Sequence, residues 1–160
     1  MEKGFHQAMR MYSTRSPSAK FKSNKFDKSC AFCRIIQGIQ PAITISSNAS
    51  CTAIMDVRPL SRGHCLVLPR KHFHNLHQVD KKTAIGMTMM ILKICSAFKK
   101  CDYNILLNNG ITANQTVPHV HYHIIPKTTS DGLHLGWNPT FTTPSSLQRE
   151  AKRIGKSIRQ

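Results

Sequence analysis

Three histidines alternate with apolar residues in the run Pro118-His119-Val120-His121-Tyr122-His123-Ile124-Ile125-Pro126, and this run constrains the fold more than any other part of the chain. In an extended segment, residues two apart face the same side and stand roughly 6.7 Å apart. One face therefore carries His119, His121 and His123, and Val120, Tyr122 and Ile124 make up the other. The apolar face needs a core to cover it. The imidazoles need partners for two ring nitrogens each, which a purely structural role rarely supplies three times in register. The pattern predicts a strand over 119–126 with a core on one side and a chemical site on the other.

The rest of the chain supplies a sheet for that strand to join. Residues 30–38 read as a turn and a short helix closed by Gly38 and Pro41. Short strands are expected at 43–45 and 51–55, with a polar turn between them. A loop from Asp56 to Gly63 leads into the continuous apolar run 64–69, which suits a central strand. Asp80 is placed to cap a helix running to Cys101, with Ala84, Met87, Ile91, Ile94 and Phe98 on one core-facing stripe. Further strands follow at 103–107 and 119–126, separated by a polar loop over 108–118. A basic surface helix is expected over 147–158. Strands, one long helix, then strands again predict an α+β fold with an antiparallel sheet.

Aligned imidazoles suit metal binding or phosphate chemistry. A histidine nitrogen is a good nucleophile toward phosphorus, and neighbouring ring N–H groups stabilise the charge that develops. The preceding loop carries Asn108, Gly110, Asn114, Gln115 and Thr116, whose amides and hydroxyl suit phosphate oxygens. No Glu lies nearby to act as the base of a zinc hydrolase. The phosphate reading is favoured.

The run Q-T-V-P-H-V-H-Y-H-I-I-P resembles the signature of the histidine-triad (HIT) family. The segments C-A-F-C-R-I-I-Q-G, M-D-V-R-P, G-H-C-L-V-L-P-R-K-H and Y-N-I-L-L-N-N-G agree in order and spacing with its Hint-like nucleoside phosphoramidase branch, over about residues 28–137. The resemblance implies a HIT-like fold: an antiparallel sheet of about five strands, one long helix, a short N-terminal helix and a homodimer. It implies hydrolysis of the P–N bond in adenosine or other purine nucleoside 5′-phosphoramidates through a nucleotidyl-histidine. In that scheme His121 attacks the α-phosphorus, and His119, His123 and His64 orient it and bind phosphate. Asn108, Gln115 and Thr116 contact the phosphate, and Asp56 holds the ribose hydroxyls. Phe32, Ile35, Ile54 and Val57 line the base pocket, and Trp137 lies near the partner subunit's site. The zinc-bearing members combine the C-x-x-C pair, here Cys30 and Cys33, with positions matching His72 and His119. The implied cofactor is one structural zinc, and no catalytic metal.

Charge and cysteine usage bound the remaining readings. The formal net charge is +16, and both ends are basic: residues 1–26 carry six Lys/Arg against Glu2, and residues 139–160 carry five against Glu150. Such a field attracts polyanions without choosing among them. The expected organisation is a basic extension over 1–26, disordered or a mitochondrial import segment, a HIT domain over 27–138 and a basic tail over 139–160. Six cysteines without a secretory signal fit a mitochondrial, cytoplasmic or nuclear protein rather than a secreted one. No run is long and apolar enough for a membrane span. The alternatives are a dinucleoside polyphosphate hydrolase, a zinc-stapled nucleic-acid-binding module, and a protein that keeps the site but acts through protein contacts.

Overall fold

The computed structural model describes residues 26–136 and 139–159. Most of the expected N-terminal extension and Trp137 lie outside them. The elements are α1 (Ala31–Ile36), β1 (Thr44–Ser47), β2 (Cys51–Met55), β3 (Cys65–Pro69), α2 (Lys81–Cys95), β4 (Asp102–Leu106), β5 (Tyr122–Lys127) and α3 (Pro144–Ser157). The strands form one antiparallel sheet in the order β1-β2-β3-β5-β4, as an α+β chain of this pattern requires.

Both sides of the sheet centre are covered, which explains why β3 is apolar at every position. Cys51, Ala53, Cys65, Val67, Val120 and Ile124 face one side and pack against Met87, Met90, Ile91, Ile94 and Cys95 of α2. Ile54, Leu66 and Leu68 face the other, where Cys30, Phe32 and Cys33 at the start of α1 cover them. Alternation carries the functional residues to this second side. His123 pairs with Leu66 across the β3–β5 ladder, Asp56 follows Ile54 by two residues, and His64 precedes Leu66 by two.

Helix α2 begins as expected, with the Asp80 carboxylate accepting the Thr83 N–H at 2.9 Å. It ends earlier than expected: regular helix stops at Cys95 and a 3-10 turn covers Ser96–Phe98. Gly86 lies mid-helix, where glycine ordinarily costs about 1 kcal/mol relative to Ala. A Cβ there would stand 2.5 Å from Ser50 Cβ, so the glycine lets α2 approach the β1–β2 turn. The Gly86 carbonyl accepts from the Cys51 thiol across the same contact (3.4 Å).

The histidine strand starts later than the sequence pattern predicts. Regular pairing runs only over Tyr122–Lys127, and His119 and His121 occupy an extended lead-in outside the ladder. The cause is Pro69 at the end of β3, which has no N–H to continue the pairing. The lead-in finds other partners: Val120 N–H donates to the Phe73 carbonyl at 2.7 Å, and His119 N–H to that of Val117 at 2.8 Å.

Candidate functional site

His119 and His121 pack against Phe32 of α1, and His123 links His121 to His64; hydrogen bonds to backbone groups fix where His119, His121 and His64 carry their protons. The Pro69 carbonyl stands 3.0 Å from His119 Nε2. A carbonyl only accepts, so Nε2 holds the proton and Nδ1 presents a lone pair. That lone pair faces Cys30 Sγ at 3.4 Å and Cys33 Sγ at 3.6 Å, and His72 Nδ1 approaches Cys33 Sγ at 3.3 Å. The His119 carbonyl in turn receives the Nδ1–H of His121 at 2.7 Å. His121 therefore keeps a lone pair on Nε2, the unhindered nitrogen of the ring. Its imidazole is almost fully buried, held edge-on between Phe32 (centroids 5.0 Å) and His123 (4.8 Å).

His64 and His123 form a second linked pair. Leu60 N–H donates to His64 Nδ1 at 3.1 Å, which places the His64 proton on Nε2. His64 Nε2 lies 3.0 Å from His123 Nδ1 and 3.4 Å from Asp56 Oδ2. Burial lowers the pKa of all four rings. It takes His119 and, with repulsion from His121 and His64, His123 down to about 4. His64 and His121 also fall, again through loss of solvation, partly offset by the Asp56 charge and, for His121, by its bond to the His119 carbonyl. Near neutral pH the array is uncharged, and its ring nitrogens divide into donors and lone pairs.

Cys30, Cys33, His72 and His119 place one donor atom each within 4.8 Å of the others. Sulfur and nitrogen ligands around a tetrahedral zinc ion stand roughly 3.6 Å apart, close to the three separations above. The tautomer of His119 also fits: its Nδ1 lone pair faces the thiols while Nε2–H is held by a carbonyl, the usual outer bond of a ligating histidine. Burial pushes the Cys33 thiol up to about 12, an unfavourable site for a lone thiolate and a favourable one beside a cation. Asp56, His64 and His123 also lie within 4.8 Å of one another. A metal there would need Nε2 of His64 as a lone pair while Nδ1 accepts from Leu60, which a neutral imidazole does not offer.

The remaining expected residues divide by location. Phe32, Ile35 and Ile54 share one apolar cluster with Leu66, Leu68 and Val117, whereas Val57 is 88% exposed on the following loop. Asn108 donates to the Asn114 carbonyl at 3.1 Å. Gln115 is buried with both ends of its amide engaged, accepting from Gly110 N–H at 2.7 Å and donating to the His74 carbonyl at 2.9 Å. Its visible role is to fold the loop. Thr116 is exposed beside it. Nothing in the residue pattern marks the groups that set the tautomers: the Leu60 N–H and the carbonyls of Pro69 and His119. Backbone groups carry no residue-type signal.

A five-stranded antiparallel sheet with linked imidazoles at its centre defines a histidine-triad domain. The HIT domain family model matches residues 37–130, and the chain belongs to that family. It is 34% identical over 132 residues to the adenosine 5′-monophosphoramidase hnt1 of Schizosaccharomyces pombe, covering 82% of this chain and 99% of that one. Among solved structures it resembles a hypothetical protein from Leishmania major, with a TM-score of 0.77 and 39% identity, covering 81% of this chain and 96% of that one. It also resembles a zinc-bound histidine triad family protein from Mycobacterium smegmatis, with a TM-score of 0.61 and 37% identity over 70% of this chain and 84% of that one.

Proposed function

We propose that the protein hydrolyses the P–N bond of adenosine or other purine nucleoside 5′-phosphoramidates through a nucleotidyl-histidine on His121. The observation that carries this reading is the 2.7 Å bond from His121 Nδ1–H to the His119 carbonyl. It leaves Nε2 as an aimed, uncharged nucleophile with its ring packed on both sides. Nε2 attacks the α-phosphorus as the P–N bond breaks. The bonding pair goes to the leaving nitrogen, which takes up a proton from solvent and departs as an amine; the attacking water of the next step returns a proton to solvent. Water then displaces His121 from phosphorus, releasing the nucleoside monophosphate. His123 Nε2–H donates to a phosphoryl oxygen, and preorganised donors of this kind contribute much of the stabilisation in such steps. Asp56 receives the ribose hydroxyls, and the apolar cluster of Phe32, Ile35 and Ile54 receives the base.

Cys30, Cys33, His72 and His119 hold a zinc ion in this reading. With four protein ligands its coordination is closed, so its contribution is to fix structure. The cluster ties α1 to the segment that carries His121. The zinc-bound relative supports the assignment. A second copy of the chain covers the apolar surface beside β4. Ile85, Met89 and Leu92 of α2 and Tyr103 and Ile105 of β4 are all substantially exposed, and β4 is an edge strand.

Purified protein incubated with adenosine 5′-phosphoramidate should release AMP. The His121→Ala variant should lose at least about 10³-fold in kcat, as removal of a nucleophile does. A folded His121→Ala protein as active as wild type would overturn the assignment of the nucleophile. Turnover of diadenosine polyphosphates but not of the amidate would overturn the substrate class.

A further inference from the structure

The segment that fixes the His64 proton is itself held by β5, the strand that carries His123. Leu60 N–H donates to His64 Nδ1 at 3.1 Å, and three further bonds hold the Leu60–Ser61 pair. The Leu60 carbonyl accepts from Gly132 N–H at 3.1 Å, and the Ser61 carbonyl accepts from His64 N–H at 3.1 Å. The Ser61 hydroxyl is buried and donates to the Pro126 carbonyl at 2.6 Å. This last bond stands where the sheet stops. The β3–β5 ladder ends at the pair Cys65 and Ile124, and continuing its register would set Gly63 opposite Pro126. Gly63 instead adopts a φ of +92°, where a Cβ would stand 3.3 Å from the Pro126 ring, and turns the chain out of the strand. The Ser61 side chain supplies the Pro126 carbonyl with the donor that the ladder no longer gives it.

We propose that Ser61 is a positioning residue for the hydrolysis described above, an inference that rests on that reading. By tying the loop to Pro126, Ser61 keeps the Leu60 N–H on His64 Nδ1. The His64 proton is then confined to Nε2, 3.0 Å from His123 Nδ1. With a donor on Nδ1, the neutral His123 ring carries its own proton on Nε2, where it donates to a phosphoryl oxygen. His64 is 2% exposed, so solvent offers no substitute for the Leu60 N–H. Without that N–H the His64 proton is free to move to Nδ1. Nε2 then becomes an acceptor, and the His123 proton is drawn to Nδ1 and away from the phosphate. Ser61 touches neither substrate nor the reacting atoms, and acts through His64. Pro126 lies three residues beyond His123, so the strand that presents the phosphate donor also anchors the ring that orients it.

Kinetics and spectra of the full-length protein test this. Ser61→Ala should lose about tenfold in kcat on adenosine 5′-phosphoramidate with KM little changed, part of the ~10²-fold that a 1 Å misplacement can cost. Ser61→Thr keeps the hydroxyl and should recover most of the loss. The loss should disappear when His64 is already gone: Ser61→Ala combined with His64→Ala should match His64→Ala alone, because a residue acting through another does not add to it. Ring ¹⁵N–¹H spectra, recorded well below the Tm of each variant, should show His64 protonated on Nε2 alone in wild type and on either nitrogen in Ser61→Ala. A lowered Tm in Ser61→Ala with the His64 tautomer and kcat unchanged would overturn the proposal. So would an equal loss of kcat with and without His64. The spectra need no turnover, so an inactive wild type would sink the hydrolase reading while they still decide whether Ser61 sets the His64 tautomer.

Discussion

With zinc bound as proposed at the Cys30–Cys33–His72–His119 cluster, stripping it should both soften the fold and misalign His121, and the two effects can be sized separately. The donor atoms come from three separate stretches of chain, and the 3.3–3.6 Å separations among them leave no spare reach. With free zinc at about 1,000 times its dissociation constant, linkage gives about 4 kcal/mol of stability. For a domain of this size each kcal/mol moves Tm by about 3 °C, so chelation should lower Tm by roughly 12 °C. The catalytic effect follows from His119, whose ring belongs to the cluster while its carbonyl holds His121 Nδ1–H. Disordering that support should cost about 10- to 100-fold in kcat, as loss of outer-shell partners does elsewhere. Zinc affinity should also rise with pH. The Cys33 thiol, pushed up to about 12 by burial, must lose its proton to bind, so each pH unit adds at least about tenfold. The assay is thermal unfolding with and without chelator across pH 6–8, alongside turnover of the amidate. A Tm change under about 3 °C with kcat intact in the verified metal-free protein would refute the reasoning.

Three further outcomes are expected. His123 is pushed down to about 4 from an ordinary value of 6.5, so the unfolded chain binds its proton first as pH falls. The stability this contributes is full above pH 6.5 and is lost between 6.5 and 4, at most about 3 kcal/mol. In His123→Asn that part of the acid dependence should vanish from urea-melt midpoints. Gly86→Ala should cost about 1–3 kcal/mol in chemical denaturation despite the helix preference for Ala, because Ser50 Cβ stands 2.5 Å from the new methyl position. Adding Ser50→Gly should recover most of the loss. Ile105→Lys should convert a two-chain particle into a monomer in sedimentation, since it puts a charge into the exposed apolar strip of β4; an unchanged mass would exclude that face as the interface.

Much of this protein is written in local pattern. Alternation at 119–124 separated imidazoles from core residues correctly, and the unbroken apolar run at 65–69 announced a strand covered on both faces. Asp80 announced the start of α2, and the C-x-x-C pair announced a cluster that His72 and His119 complete. These are short-range statements about period, capping and residue type, and any window of chain carries them. The start of β5 was misplaced, because the ladder ends at a proline on another strand. The end of α2 was overrun, because the apolar stripe continues through the 3-10 turn as far as Phe98.

The sequence by itself determined that the triad histidines share one face of the sheet, opposite the apolar residues that alternate with them. The tertiary structure decided what state each of them is in. The Pro69 carbonyl leaves the His119 Nδ1 lone pair facing the Cys30 and Cys33 thiols, and the His119 carbonyl leaves a lone pair on His121 Nε2. The Leu60 N–H sends the proton of His64 toward His123. All three controlling groups are backbone atoms, identical in every residue but proline, so their effect depends only on where the fold delivers them.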